Sequence, residues 1–206
     1  MKIILTVIFL SSIIAAQNTY SIQPGVNNNQ IVLELSNTSL SETANNLEVK
    51  LIRNSQNLTF NQTEKLIENI TQGEEIEAAF TFDVDYNIGN AEADTLEFMI
   101  TDGNAIYLTK QFILQYSIPT EYKLEQNYPN PFNPSTSIRY QVSSISQVSI
   151  KVYDILGNEV TTLVNEQKEP GYYEIDFNAG SFASGVYIYR LQANNYVSTK
   201  KMMLLK

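Results

Sequence analysis

In several runs between Ile31 and Ile118 apolar residues return at every second position, and a run patterned that way can bury a single face only as a β-strand. IVLELS (31–36) sets Ile31, Leu33 and Leu35 on one side; NLEVKLI (46–52) does so with Leu47, Val49 and Leu51, and EEIEAAFTFDV (74–84) with Ile76, Ala78, Phe80 and Phe82. TLEFMITDGNAIYLTKQFILQYSI (95–118) reads as two alternating runs joined at Asp102-Gly103, a dipeptide favoured in tight hairpin turns. LTF (58–60) adds a short strand, and TEKLIENI (63–70) admits a helical turn. NTYSIQPGVNNNQ (18–30) is a loop by composition.

The second half has the same style without repeating the sequence. Ile138 and Tyr140, then Val148, Ile150 and Val152, then Ile175 and Phe177, then Val186, Ile188 and Arg190 mark successive short strands before VSTKKMMLLK (197–206). Gly157-Asn158, Pro170-Gly171 and Gly185 supply turns and a strand entry. Between the halves the charge changes: residues 17–121 hold 4 basic against 15 acidic residues, residues 122–206 hold 8 against 7. The expected architecture is all-β, two immunoglobulin-like antiparallel β-sandwich domains in tandem after a signal peptide: 1–16 leader, 17–119 acidic sandwich, 120–206 second sandwich.

QNYPNPFNPSTSIRY (126–140) holds three of the six prolines immediately ahead of a strand. Each proline fixes its own φ and drives the preceding residue away from helical space, so this stretch is expected to be a stiff, extended connector whose Tyr128 and Phe132 pack on the sandwich.

The chain has no cysteine and no histidine, which removes disulfides, thiolate nucleophiles, Ser/His/Asp triads and the usual zinc sites together. Asp83 and Asp85, two apart in FDVDY, are the weak metal candidate, a pair of oxygen ligands for Ca²⁺ on one strand face; no cofactor is implied. The same acidic domain supports an alternative, a small secreted hydrolase or a carbohydrate-binding accessory domain using its carboxylates, with Tyr86, Tyr107 and Tyr116 as a stacking platform. The net charge of −9 argues against nucleic acid as a partner.

Met1-Lys2 followed by IILTVIFLSSIIAA has one positive charge, a short apolar run and small residues at Ala15 and Ala16, the pattern of a secretory signal peptide cut after Ala16. The run is shorter than the roughly 20 apolar residues of a spanning helix, and no later stretch reaches that length.

LEQNYPNPFNPSTSIRY (124–140), VYDILGNEVTTLV (152–164), GYYEIDF (171–177) and SGVYIYRLQANNYVSTKKMMLLK (184–206) resemble, in order and spacing, the type A C-terminal sorting domain of the type IX (Por) secretion system. Two positions depart from that family: Val142-Ser143 stands where it often has Leu-Pro, and Asn194-Asn195 where it often has a glycine, although asparagine accepts positive φ. The resemblance implies a protein that crosses the inner membrane by the Sec route and the outer membrane through the type IX machinery; the absence of histidine and cysteine makes the expected protein a non-catalytic one. A sortase-like protease then removes the tail, leaving the rest secreted or attached to surface lipopolysaccharide, as found in Bacteroidetes-type bacteria. The motif positions it singles out here are Tyr128, Pro129, Asn130, Pro131, Phe132, Asn133, Pro134, Tyr153, Asp154, Gly157, Gly185, Tyr187, Arg190, Lys201 and Lys206. The acidic domain resembles, in pattern alone, CARDB-like immunoglobulin-fold modules, which serve as spacers or binding domains.

Overall fold

A computed structural model describes residues 2–8, 18–89 and 91–206. Among these every regular element is a strand, and the chain divides into two compact units, one holding residues up to Asp85 together with Ala91–Ser117, the other Ile118–Lys206 together with the segment that starts at Tyr86. The expected cleavage point after Ala16 lies outside the described residues.

In the first unit two sheets pack face to face. One has the order β1-β3-β7-β5, built from β1 (Lys2–Ile8), β3 (Asn29–Ser36), β7 (Glu75–Val84) and β5 (Leu58–Phe60). The other has the order β2-β9-β8-β4-β6, from β2 (Asn18–Ile22), β9 (Tyr107–Tyr116), β8 (Ala93–Thr101), β4 (Ala44–Arg53) and β6 (Glu64–Ile70). The period-two residues are the core: Ile31, Leu33 and Leu35 from β3, Phe80 and Phe82 from β7, Leu47 and Val49 from β4, Leu96, Phe98 and Ile100 from β8, and Phe112 and Leu114 from β9, all essentially inaccessible. Phe98 touches both sheets, with ring centroids 4.9 Å from Phe80, 6.5 Å from Phe60 and 5.8 Å from Phe112.

Residues 63–70 are not a helical turn but the edge strand β6, paired antiparallel to β4. Their two buried residues, Ile67 and Ile70, are three apart, the spacing of one helix face and not of one strand face. Cross-strand pairing decides for the strand, and its ladder skips Asn46, which adopts φ 53°. Nor is the β8–β9 connection a tight turn at Asp102-Gly103. It spans residues 102–106, organised by the Asp102 carboxylate, whose Oδ1 accepts the amides of Asn104 (2.9 Å) and Ile106 (2.8 Å).

The second unit pairs a three-stranded sheet, β10 (Lys123–Leu124), β11 (Ser135–Val142) and β14 (Gly171–Asn178), with a four-stranded one of order β13-β12-β15-β16. The latter comprises β13 (Glu159–Lys168), β12 (Ser146–Tyr153), β15 (Gly185–Ala193) and β16 (Tyr196–Leu204). Its core joins Ile138, Tyr140 and Phe177 from the first sheet to Val148, Ile150, Val152, Tyr189, Leu191, Met202 and Leu204 from the second. Glu169 and Pro170 cross from one sheet to the other between β13 and β14. Asn194, in the place of a turn glycine, takes φ 51° and ties the β15–β16 turn to Ser146 Oγ (2.8 Å) and the Tyr122 hydroxyl (3.1 Å) through its amide.

Candidate functional site

The proline-rich segment 126–134 is the edge cover of β16. Phe132 pairs with Leu204 as a parallel bridge: the Phe132 amide donates to the Met203 carbonyl (2.9 Å) and the Leu205 amide to the Phe132 carbonyl (3.0 Å). Asn130 completes the strip, its Oδ1 accepting the Met203 amide (3.0 Å), while Gln126 Nε2 donates to the Lys201 carbonyl (2.7 Å). On the other side Tyr128 and Ser137 exchange two backbone hydrogen bonds of 3.0 Å. Prolines are tolerated here because the strip is made by the backbone of Phe132 and the side chains of Asn130 and Gln126, and none of its hydrogen bonds needs a proline N–H. The Tyr128–Pro129 and Asn130–Pro131 peptide bonds are cis.

Phe132 is buried and meets Phe177 at 6.1 Å, as expected of it. Tyr128 is not part of the core: it is 82% exposed, because its backbone is claimed by β11 and its ring is turned to solvent.

The residues that hold this segment were not singled out from the sequence. Asn127 is buried; its amide NH donates to the Tyr189 hydroxyl (2.8 Å), and its side-chain amide donates to the Pro129 carbonyl and Thr136 Oγ1, each at 3.0 Å. The Tyr189 hydroxyl donates in turn to the Glu125 carbonyl (2.8 Å), and burial pushes its ionisation up to about 12, so it remains a neutral donor at any ordinary pH. An asparagine ahead of a proline pair and a tyrosine in a strand carry no distinctive pattern, and only the fold brings them together.

At the β12–β13 hairpin Asp154 builds the loop. Its Oδ1 accepts the amides of Leu156 (2.8 Å) and Asn158 (2.9 Å), its Oδ2 accepts Asn158 Nδ2 (2.9 Å), and Gly157 takes φ 87°, where a side chain would be strained. The loop holds Ile155 and Leu156 out in solvent. These hydrogen bonds, led by that from the Asn158 side chain, hold the Asp154 carboxyl below its ordinary range. A depressed native value means its contribution to stability is fully present above the unfolded carboxyl's roughly 3.9 and is lost as pH falls through the native value. Asp154→Asn is expected to lower the melting temperature of this unit at pH 7 and to leave it nearly unchanged at pH 2; thermal scans at the two pH values check it, and an equal loss at both removes the carboxylate from the account.

The remaining motif positions are spread along one sheet. Gly185 opens β15, Tyr187 is buried with its hydroxyl donating to the Ala183 carbonyl (2.8 Å), and Arg190 lies over the Tyr153 ring (5.1 Å) and donates to its hydroxyl (2.9 Å). Lys201 is exposed, Asn133 and Pro134 are exposed with the Pro134 carbonyl accepting the Ala179 amide (2.8 Å), and Lys206 Nζ donates to the Gly180 carbonyl (2.8 Å).

In the first unit Asp83 and Asp85 do not share a strand face: β7 ends at Val84, and the Asp83 carboxylate is engaged by the Asn28 amide (2.7 Å). Among the described residues no group of three carboxylates comes together as a metal site. Tyr86 and Tyr116 are buried and Tyr107 is exposed, so the three do not form a stacking platform. The Tyr116 hydroxyl donates to Asp94, which also accepts Asn57 Nδ2 (3.1 Å); burial first, and the hydrogen bond to Asp94 second, push the Tyr116 hydroxyl's ionisation up.

The second unit is a small sandwich module closed by its own motif-bearing lead segment and by β16. That module is identified by its match: residues 126–205 fit the family model described as the secretion system C-terminal sorting domain, the type IX tail that the sequence resembles. No curated protein matches the chain in sequence. Among solved structures it is similar to dimeric latent PorU from Porphyromonas gingivalis, at 15% identity over 96% of this chain and 20% of that one, with a TM-score of 0.34. It is also similar to the calcium binding domain CBD12 of CALX1.1 (9% identity, 85% of this chain and 77% of that one, TM-score 0.37). A third is protocadherin gamma B2 extracellular cadherin domains 3–6 (10%, 93% and 46%, TM-score 0.34). This chain spans a fifth of the length of the latent PorU chain.

Proposed function

We propose that this chain is a non-catalytic cargo of type IX secretion, delivered by its C-terminal sorting domain to the cell surface or the medium, with the acidic immunoglobulin-like unit as its working part. The observation that carries the reading is the match over residues 126–205, in which the motif positions form the β16 edge cover and the β12–β13 hairpin of one sandwich. The route begins with removal of residues 1–16 after Sec transport. It continues with recognition of the tail by the outer-membrane machinery and ends with the tail's removal by a sortase-like protease. The CARDB-like unit then acts as a binding or spacing module, either free or attached to surface lipopolysaccharide.

Residues 122–206, fused behind a Sec signal and a foreign soluble domain in a bacterium that has the machinery, are expected to carry that domain to the cell surface or medium. Surface proteolysis and fractionation read the outcome, and a fusion that stays in the periplasm, with its tail folded, defeats the assignment.

A further inference from the structure

Most edge strands in this protein are defended. Among the described residues β5 is three residues long and β10 two; β6 carries Glu64, Lys65 and Glu68; β13 is bulged and carries Glu159, Glu166 and Lys168; β14 carries Glu174 and Asp176; and β16 is capped by Phe132 and Asn130. Such devices are how sheets avoid pairing with other chains. β2 (Asn18–Ile22) carries no charge but is only five residues long, whereas β3, an inner strand while β1 is in place, is eight residues long with Glu34 as its single charge; what covers its outer edge is β1, paired in parallel register from Lys2↔Gln30 to Ile8↔Ser36. β1 lies entirely within the leader. Its removal uncovers an eight-residue, nearly uncharged row of backbone donors and acceptors.

We infer that the chain released from its leader uses this edge to pair with a second copy of itself, β3 against β3 across a two-fold axis. This rests on the proposed removal of residues 1–16. The sequence of β3 complements itself in the antiparallel register centred on Val32. Val32 then faces Val32 of the second copy, Ile31 faces Leu33, and Glu34 faces Gln30, so that the one charge of each copy meets an amide and not its own mate. Parity is preserved as well: Ile31 and Leu33 point to the core on both sides, and the product is one six-stranded sheet, β5-β7-β3 continued into its symmetry copy. The acidic charge of each unit opposes the pairing over longer range, so added salt tightens it.

The test is sedimentation equilibrium on purified residues 17–206, with intact-mass measurement of the exported protein beside it. The chain is expected to be a dimer that tightens with salt. Gln30→Glu, which sets two like charges opposite Glu34 at both ends of the ladder, weakens it about tenfold with an unchanged melting temperature, and Gln30→Lys does not weaken it. A synthetic peptide of residues 2–8 converts the dimer to monomer. A leader-free chain that stays monomeric, or a dimer indifferent to Gln30→Glu, overturns the pairing while leaving the export reading intact. An exported protein that still begins at Met1 overturns the leader reading and, with it, the exposure of the edge.

Discussion

Removing residues 200–206 is expected to unfold the C-terminal unit, not merely to take away a docking peptide. The deletion strips Met202 and Leu204, both buried, from the core and leaves residues 185–189 of β15 unpaired along their outer edge. It also removes the carbonyls and amides of residues 201–205 that anchor Gln126, Asn130 and Phe132. Two buried side chains of this size are each worth about 2–5 kcal/mol, and a unit of about 90 residues has a total stability of about 5–13 kcal/mol, so the loss takes most or all of it. Hydrogen exchange on the full-length truncated chain should show β11, β12 and β15 exchanging as unfolded while β7 and β8 keep their protection. Export lost with β11, β12 and β15 still protected would make the last residues a docking signal and defeat the structural reading.

Phe98→Ala is expected to be the most damaging single substitution in the first unit. The ring is inaccessible and meets Phe60 and Phe80 of one sheet and Phe112 of its own, so its removal opens a cavity at the point where the two sheets touch. Truncations of this kind cost about 3–5 kcal/mol. At the middle of that range the amides of β7 and β8 should lose about a thousandfold of their protection, with those of β12 and β15 unchanged. A change below tenfold would mean that the neighbouring phenylalanines close the gap.

In the first unit β4, β7, β8 and β9 were legible from their alternation, and Ile31, Leu33, Leu35, Phe80 and Phe82 are buried as their spacing requires, whereas Asn18–Ile22, expected as a loop, is strand β2 paired with β9. Legibility failed where a local pattern served two geometries. Ile67 and Ile70 have the spacing of a helical turn, and the strand is imposed by β4, a partner from another part of the chain. Asp102-Gly103 fits a two-residue turn, but the side-chain acceptor of Asp102 stabilises a wider loop. In the second unit the motif residues could be marked, and Phe132 was placed correctly. Asn127, Thr136 and Tyr189 went unmarked because a buried hydrogen-bond network between residues up to 62 apart leaves no trace in local spacing. Tyr128 shows the converse, a prominent motif residue whose ring supports nothing in the core.

The strip that Gln126, Asn130 and Phe132 lay along β16 joins the first part of this unit to its last, with 75 residues between Gln126 and the Lys201 carbonyl it bonds. A ribosome makes the N-terminal partner of each such contact long before the C-terminal one, and a translocation channel delivers them in the same order. Until the final few residues have emerged, Phe132 has no strand to pair with and Met202 and Leu204 are missing from the core. The tail therefore cannot close while any of it is still being made or threaded, and non-local pairing of this kind is slow even then. Completion of the fold is thus a physical report that everything from Gln126 to Leu205 has arrived.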